Sequence, residues 1–319
     1  MLELTATADF QATCREVLRY LHARFGFKLW MVTRTEEPHW IVLHSHDTGY
    51  GVKDGDVFEW ADSFCSRMVI GLGPRIAPRA SEVPAYATAP IGRQVPIAAY
   101  IGIPLLLPDE SIFGTLCAID PAPKSDDLLA ELPLLELLTR MLEKIVATEL
   151  RANDEARRAD RAEAEATTDH LTGLYNRRGW DALLAAEEER CRRLGDPAAI
   201  ISIDLDGLKE ANDSLGHHHG DYLLRTAGRV LQLNTRAPNV VARVGGDEFL
   251  VLAVGCKRTA ANALMHRLEN ALAEADIAAS LGCCCRDPRS TLAAAVQAAD
   301  AQMYQAKHAR KAVRAELVV

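Results

Sequence analysis

The chain has 319 residues, 25% of them charged and 49% hydrophobic, a length that suits two domains better than one core. Its formal net charge of −8 argues against a nucleic-acid backbone or an anionic membrane as the main partner, since both need a basic face. A small anionic ligand remains compatible, provided a metal or local lysines offset the charge. The N-terminus, "MLELTATADF", has neither a basic start nor an apolar block, and the most apolar run, "IAAYIGIPLLL", is too short to span a bilayer. The expectation is a cytoplasmic protein without membrane insertion. Its eight cysteines, with no C-x-x-C pair among them, are expected as reduced, mostly packed thiols.

In chain order, residues 9–27 place Phe10, Cys14, Val17, Leu18, Leu21 and Phe25 at helical spacing, ended by Gly26. "KLWMVTRT" and "HWIVLHSHD" read as two strands around a Glu-Pro turn, residues 60–70 as a helix, and residues 71–96 as a long loop region. "YIGIPLLL" and "IFGTLCAID" read as a strand pair around "PDES". That order suggests an α+β domain over residues 1–148 with one antiparallel sheet. Within it Cys65 reads as a buried core thiol and His44 as a surface imidazole.

From Leu132 to Thr168 there is no glycine, and Pro133, the one proline, suits a first helical turn. Leu138, Leu142, Ile145, Glu149, Ala152, Ala156, Ala159, Glu163 and Ala166 follow alternating spacings of four and three, a heptad seam. Ten of the twenty residues in 149–168 are charged, which also fits a solvated single helix. The favoured reading is a linker helix over 132–168 that forms a parallel two-stranded coiled coil and dimerises the chain. Its alanine-rich half would pack weakly enough to change register.

The C-terminal part opens with "TTDHLTGLYNRRGW", where Thr168 or Asp169 is expected to cap a new helix, followed by a helix over about 177–194. Strand "AIISIDL", helix "GDYLLRTAGRVLQLN", strands "VVARV" and "FLVLAV" around a turn, helix "RTAANALMHRLENALAEA", strand "AASLGCCC" and helix "TLAAAVQAADAQMYQAKHAR" complete it. Strands and helices alternating around one hairpin predict a mixed sheet covered by helices.

The apolar strand "AIISIDLDG" ends in Asp204 and Asp206, which puts carboxylates at the sheet rim. "RVGGDEFLVL" puts Asp247 and Glu248 at the turn of a hairpin. If the two elements are neighbours, Asp204 and Asp247 converge, and converging carboxylates repel unless a cation lies between them. Mg²⁺ suits such a site, binding through one or two carboxylates plus substrate phosphates, with the Leu205 carbonyl as a further oxygen. The residues therefore suggest a Mg²⁺–nucleoside triphosphate site, with Lys209 and Lys307 for the phosphates. Asn212 and Asp221 have the groups to read guanine. Asn212 would equally serve as a helix C-cap, and "GHHHGD" reads as a loop with solvated rings.

The stretches "DHLTGLYNRRGW", "DLDGLKEANDSLGHHHGD", "RVGGDEF" and "AADAQMYQAKHARK" together resemble the GGDEF family of diguanylate cyclases over residues 166–319. The resemblance implies condensation of two GTP into cyclic di-GMP with release of two pyrophosphates, each subunit of a homodimer presenting one GTP. It implies that Asp204, the Leu205 carbonyl and Asp247 bind Mg²⁺, for which Mn²⁺ can substitute. Asp247 would accept the proton and Glu248 would support the metal site. Lys209 would stabilise transition-state charge, Asn212 and Asp221 would bind guanine, and Lys307 would hold phosphate. Where the family usually has Gly-Arg after this lysine motif, Arg310 and Lys311 stand, with Lys311 taken as a further GTP contact. The family's R-x-x-D product-inhibition site here reads "RAPN", so Arg236 is kept and Asn239 replaces the aspartate. A neutral amide cannot replace a carboxylate in such ionic pairing, so weak or absent product inhibition is expected.

Residues 8–148 resemble a GAF sensor domain, chiefly in "YIGIPLLLPDESIFGTLCAID", with an unidentified small-molecule ligand. Signal binding would shift the linker helix and bring two GTP sites face to face. The alternative is a catalytically silent GGDEF domain that senses GTP or serves as a scaffold. The intact Gly-Gly-Asp-Glu-Phe string and metal aspartate favour the enzyme.

Overall fold

The computed structural model describes residues 10–164 and 167–316, apart from the side chains of residues 162–164 and 311–316. The chain divides into two compact units, Met1–Asp154 and Glu155–Val319, with the boundary inside one long helix. No helix among the described residues is long and apolar enough to cross a membrane.

The N-terminal unit contains helix α1 (Phe10–Phe25) and strands β1 (Leu29–Glu36), β2 (His39–Asp47) and β3 (Val57–Glu59). Short helix α2 (Phe64–Val69), strand β4 (Ile76–Ala77) and one-turn helices α3 (Pro84–Ala87) and α4 (Ile91–Gln94) follow. Strands β5 (Ala99–Leu106) and β6 (Ile112–Asp120) lead to helix α5 (Leu132–Ala164). The six strands form one antiparallel sheet in the order β3-β2-β1-β6-β5-β4, as the element order suggested. Period-two alternation sorts the side chains. Met31, Trp40, Val42, Cys117 and Ile119 lie on one face with Phe64, Cys65 and Met68 of α2 and Tyr86 of α3. Trp30 and Val32 are buried on the other, where α1 packs along β1 and β2. His44 corrects the surface reading. It lies inside β2, is only 5% exposed, and its Nδ1 is 3.4 Å from Asp54.

Helix α5 starts in this unit, with Leu135, Leu142 and Val146 fully buried. Leu142 was a proposed seam position, so part of the apolar seam is consumed within the chain. Leu137 and Met141 remain about half exposed. Of the other seam positions, Ala166 and the Glu163 side chain lie outside what is described.

The C-terminal unit holds α6 (Arg177–Leu194), β7 (Ala198–Leu205), α7 (Leu208–Leu215) and α8 (His217–Leu233). It continues with β8 (Val240–Arg243), β9 (Glu248–Val254), α9 (Arg258–Glu274), β10 (Ala279–Cys285) and α10 (Leu292–Glu316). Its sheet, in the order β10-β7-β9-β8, is antiparallel at every strand pair, not mixed. The reason is topological. Strand β7 lies between β9 and β10, and β9 lies between β7 and β8, so strands that run parallel are never neighbours. Ile201, Ile203, Phe249 and Val251 lie on the face shared with α8 and α9 residues. Ile200, Leu250 and Leu252 share the other with residues of α6 and α10. Each large aliphatic side chain so buried contributes roughly 1.5–3 kcal/mol.

The end of α5 is fixed to α6 by a buried ionic cluster. Arg157 donates to Glu187 at 3.0 and 2.9 Å and to Asp196 at 3.3 Å, and Arg190 reaches Glu187 and Asp160. The helix-start reading needs correction: the cap of α6 is Asn176, whose Oδ1 accepts from Gly179 N at 3.1 Å. Asp169 instead holds the preceding turn, accepting from the Thr172 backbone N and hydroxyl.

Candidate functional site

Strand β7 is buried along its whole length and delivers Asp204 to the sheet rim with only 7% exposure. In register, Asp204 faces Glu248 of β9 and Ser280 of β10. Leu205 N donates to Asp247 O at 3.1 Å, so the GGDEF turn lies directly beside the end of β7. The sequence-predicted pairing of "IDLD" with "GGDE" is thus a matter of adjacent strands.

The fourth group arrives from α10. A Cβ at Gly282 of β10 would come 2.2 Å from Ala299 O and 2.3 Å from Met303 N, so only glycine lets the α10 backbone settle on this strand. One turn further on, Lys307 Nζ is 2.5 Å from Asp204 Oδ1. Burial pushes the Asp204 carboxyl above the usual carboxylate range, as do the charges of Asp247 and Asp206, against the opposing pull of Lys307. Burial would lower the Lys307 ammonium, but the Asp204 contact and the charges of Asp247 and Asp206 outweigh it and raise it. The acidic rim holds the Lys307 ammonium.

Asp206 lies on the same rim and accepts from Ser280 Oγ at 3.0 Å. Arg310 stands 3.6 Å from it, bonds Glu269 at 2.6 Å and donates to Ala279 O. Arg310 is therefore engaged by protein groups. The Lys311 side chain lies outside what is described.

Asn212 lies on α7 and Asp221 on α8, two helices joined at Gly216. A Cβ at Gly220 would fall 2.0 Å from Asn212 Oδ1, so the amide rests on the residue next to Asp221. Asp221 is half-buried, 3.9 Å from Arg225. Lys209 is exposed in the first turn of α7, three residues before Asn212 and so on a neighbouring position of the helix surface. Histidines 217 and 218 are exposed, and His219 is half-buried at the start of α8.

The turn at 244–247 has an anchor that the sequence reading missed. Arg243 donates to Gly246 O at 3.1 and 2.7 Å and to Asp169 at 3.1 and 3.3 Å. Burial would raise the Asp169 carboxyl, but Thr172 and Arg243 hold it below its ordinary range. The signal was present in "DHLTG", an acid and a threonine at the spacing of a side-chain-closed turn. At the open end of the β8–β9 hairpin, Asn239 N donates to Arg236 O, and Asn239 Oδ1 accepts from Val254 N at 3.0 Å. Arg236 is exposed.

Among the described residues no group of three or more His, Cys, Asp or Glu side chains is placed to hold a metal ion. Two aspartates and one backbone carbonyl remain as donors. That small oxygen set fits Mg²⁺, which completes its shell with water and substrate phosphates.

Residues 166–312 match the family model described as "Diguanylate cyclase, GGDEF domain". Diguanylate cyclase DgcP of Escherichia coli K12 is 34% identical over 226 residues, covering 67% of this chain and 66% of that protein. The alignment is longer than the matched domain and so extends into the preceding residues. Probable diguanylate cyclase DgcC of the same strain is 38% identical over 112 residues, 35% of this chain and 30% of that protein. The chain thus spans less than two thirds of either relative. Among solved structures, a sensory box/GGDEF family protein from Caulobacter crescentus CB15 is 39% identical, covers 45% of this chain and 99% of its own, and superposes with a TM-score of 0.41. The four sequence motifs, their meeting at one sheet rim and the family match together make residues 166–312 a GGDEF domain of the diguanylate cyclase kind.

Proposed function

We propose that the chain is a diguanylate cyclase that condenses two GTP into cyclic di-GMP and two pyrophosphates. The observation that carries this reading is the convergence of Asp204, the Asp247 backbone and Lys307 at one rim, with Leu205 N–Asp247 O at 3.1 Å and Lys307 Nζ–Asp204 Oδ1 at 2.5 Å. Asp204, Asp247 and the Leu205 carbonyl would hold Mg²⁺ or Mn²⁺, with Glu248 in support; when bound, the ion neutralises phosphate charge and lowers the pKa of the attacking 3′-hydroxyl. Lys307 moves from Asp204 to a phosphate oxygen as GTP enters. Lys209 faces the charge that develops on the phosphoryl group, with Lys311 as a further GTP contact. Asp221 accepts from guanine N1–H and the 2-amino group, and Asn212 donates to O6 or N7. Asp247 accepts the proton of the 3′-hydroxyl as it attacks the α-phosphate of the second GTP, and pyrophosphate leaves.

One GTP per domain makes the product a two-chain event. We infer a homodimer formed through the N-terminal unit and α5, supported by the apolar surface at Leu137 and Met141. The N-terminal unit is read as a GAF-like sensor in the cytoplasm that controls the cyclase through this helix. Its antiparallel sheet flanked by helices supports that reading. Incubation of the purified chain with GTP and Mg²⁺, followed by chromatography, tests the activity. Cyclic di-GMP and pyrophosphate in a 1:2 ratio are expected, and their absence from a folded dimer overturns the proposal.

A further inference from the structure

The N-terminal unit contains a buried polar chain that ends on sulfur. Trp40 Nε1 donates to Thr33 Oγ1 at 2.9 Å, and Thr115 N donates to the same oxygen at 3.1 Å. A hydroxyl oxygen has two acceptor sites, so Thr33 is full as an acceptor, and its own proton goes to the Thr115 hydroxyl, 2.8 Å away, or the Thr115 carbonyl, 3.2 Å away. The Thr115 hydroxyl proton is left for the sulfurs, with Cys65 Sγ at 3.5 Å and Cys117 Sγ at 3.6 Å. Tyr100 donates its phenol to Cys65 Sγ at 3.3 Å. Cys65, Cys117 and Tyr100 are each 1% exposed, and Thr115 is fully buried.

A neutral thiol is a weak acceptor, and a buried tyrosine hydroxyl is ordinarily given an oxygen. Tyr100 is aimed at Cys65 alone, and the Thr115 hydroxyl lies between the two sulfurs, so Cys65 has the larger share of donors that would stabilise a thiolate. Burial pushes the Cys65 thiol up, but the bonds from Cys117, Thr115 and Tyr100 hold it below its ordinary value, whereas burial raises Cys117. Of the two sulfurs, Cys65 is thus the easier to ionise.

We propose that Cys65 and Cys117 form a peroxide-oxidisable thiol pair, with Cys65 the attacking sulfur and Cys117 the resolving one. The Cys65 thiolate attacks one oxygen of hydrogen peroxide, the O–O bond breaks, and the departing hydroxide takes a proton to leave as water. Cys65 becomes a sulfenic acid. The Cys117 sulfur then attacks the Cys65 sulfur, an S–S bond forms, the S–O bond breaks, and a second water leaves. Two thiols and one peroxide thus give one disulfide and two waters, the sulfurs losing two electrons and the peroxide gaining them. Burial makes local opening of α2 the entry step.

The test exposes the reduced full chain to a small excess of hydrogen peroxide, then quenches, denatures, alkylates and maps the thiols by mass spectrometry. A peptide linking Cys65 to Cys117 is expected before any pairing among Cys256, Cys283, Cys284 and Cys285. In Cys117→Ser the same treatment should leave Cys65 as a sulfenic acid trapped by dimedone. Tyr100→Phe keeps the ring and removes one donor. The thiolate fraction falls about tenfold, and the more basic sulfur is about threefold more nucleophilic, so disulfide formation should slow about threefold. The proposal is overturned if Cys65 and Cys117 stay alkylatable while the β10 cysteines oxidise, or if Tyr100→Phe leaves the rate unchanged.

Discussion

The contact between Asp169 and Arg243 ties the "DHLTG" turn to the GGDEF turn, and Asp169→Asn removes its charge while keeping its shape. Asp169 Oδ1 accepts from Thr172 N at 2.9 Å, Thr172 Oγ1 at 2.7 Å and Arg243 Nη1 at 3.1 Å. The two side chains are 15% and 13% exposed, so the pair is only partly screened by water. An amide keeps an acceptor, and Arg243 keeps Gly246 O, so the loss is that of one charge-assisted contact, about 1.5–3 kcal/mol. For a domain of this size each kcal/mol lowers the melting temperature by roughly 2–4 °C, which predicts a fall of about 3–12 °C at pH 7. The pH dependence follows from the depressed carboxyl. A folded-state pKa below the unfolded value, about 3.9, gives stability that is present above that value and lost as pH falls through the folded pKa. Thermal melts of both proteins between pH 7 and pH 3 should therefore converge at the acid end. A gap that stays constant with pH, or no gap at pH 7, refutes the electrostatic account. Conversion of GTP should fall with little change in substrate affinity, because Arg243, still bonded to Gly246 O, loses its charged anchor and the turn that carries Asp247 loosens.

Asp204→Asn should lower GTP conversion at least about a hundredfold, and an unchanged rate counts against its role at the site. Arg157→Ala leaves Glu187, 2% exposed, and Asp196 without their shared guanidinium. Calorimetry should register a loss of about 3–5 kcal/mol, and a loss under about 1 kcal/mol rejects the cluster as an anchor for α5. The native chain should tolerate added cyclic di-GMP in initial-rate assays, and Asn239→Asp should introduce inhibition. Strong inhibition of the native chain at low micromolar product contradicts that expectation.

Local chemistry was the legible part. The strand ending in Asp204 and the hairpin at Gly245-Gly246 agree with the sequence reading within a few residues, because apolar period and turn residues act over short spans; helix α7 does not appear in that reading, and "GHHHGD", read as a loop, supplies the first turn of α8. What failed depended on neighbours far away in sequence. The C-terminal sheet is antiparallel because β9 sits between β7 and β8, a placement that alternating strands and helices do not encode. Asp169 was assigned to a helix start because an acid before a helix suits a cap, yet Arg243, 74 residues away, and Thr172 claim its oxygens. His44 meets Asp54 ten residues on, in the loop after β2, a contact that strand alternation does not encode.

Lys307 shows where a longer-range contact did leave a local trace. Its partner Asp204 is 103 residues away, so no turn or motif spacing connects them. Helix α10 nevertheless carries Leu292, Ala295, Ala299 and Met303, all buried, at successive spacings of three and four. Continuing that stripe by one turn arrives at Lys307, a cation on a face that otherwise meets the sheet. A charge placed on the buried stripe of an amphipathic helix costs free energy unless an opposite charge meets it. The acid it meets is the one that the buried strand β7 carries to the rim, so two local violations of the apolar pattern, one on a strand and one on a helix, identify each other. The same logic separates Lys307 from Lys209, which breaks no apolar pattern and stands exposed on α7. Lys307→Met should for that reason destabilise the domain at pH 8 as well as reduce turnover, whereas Lys209→Met should reduce turnover alone. Melting temperatures of the two variants side by side decide it, and equal values would remove the argument that the buried stripe, rather than the motif, positions Lys307.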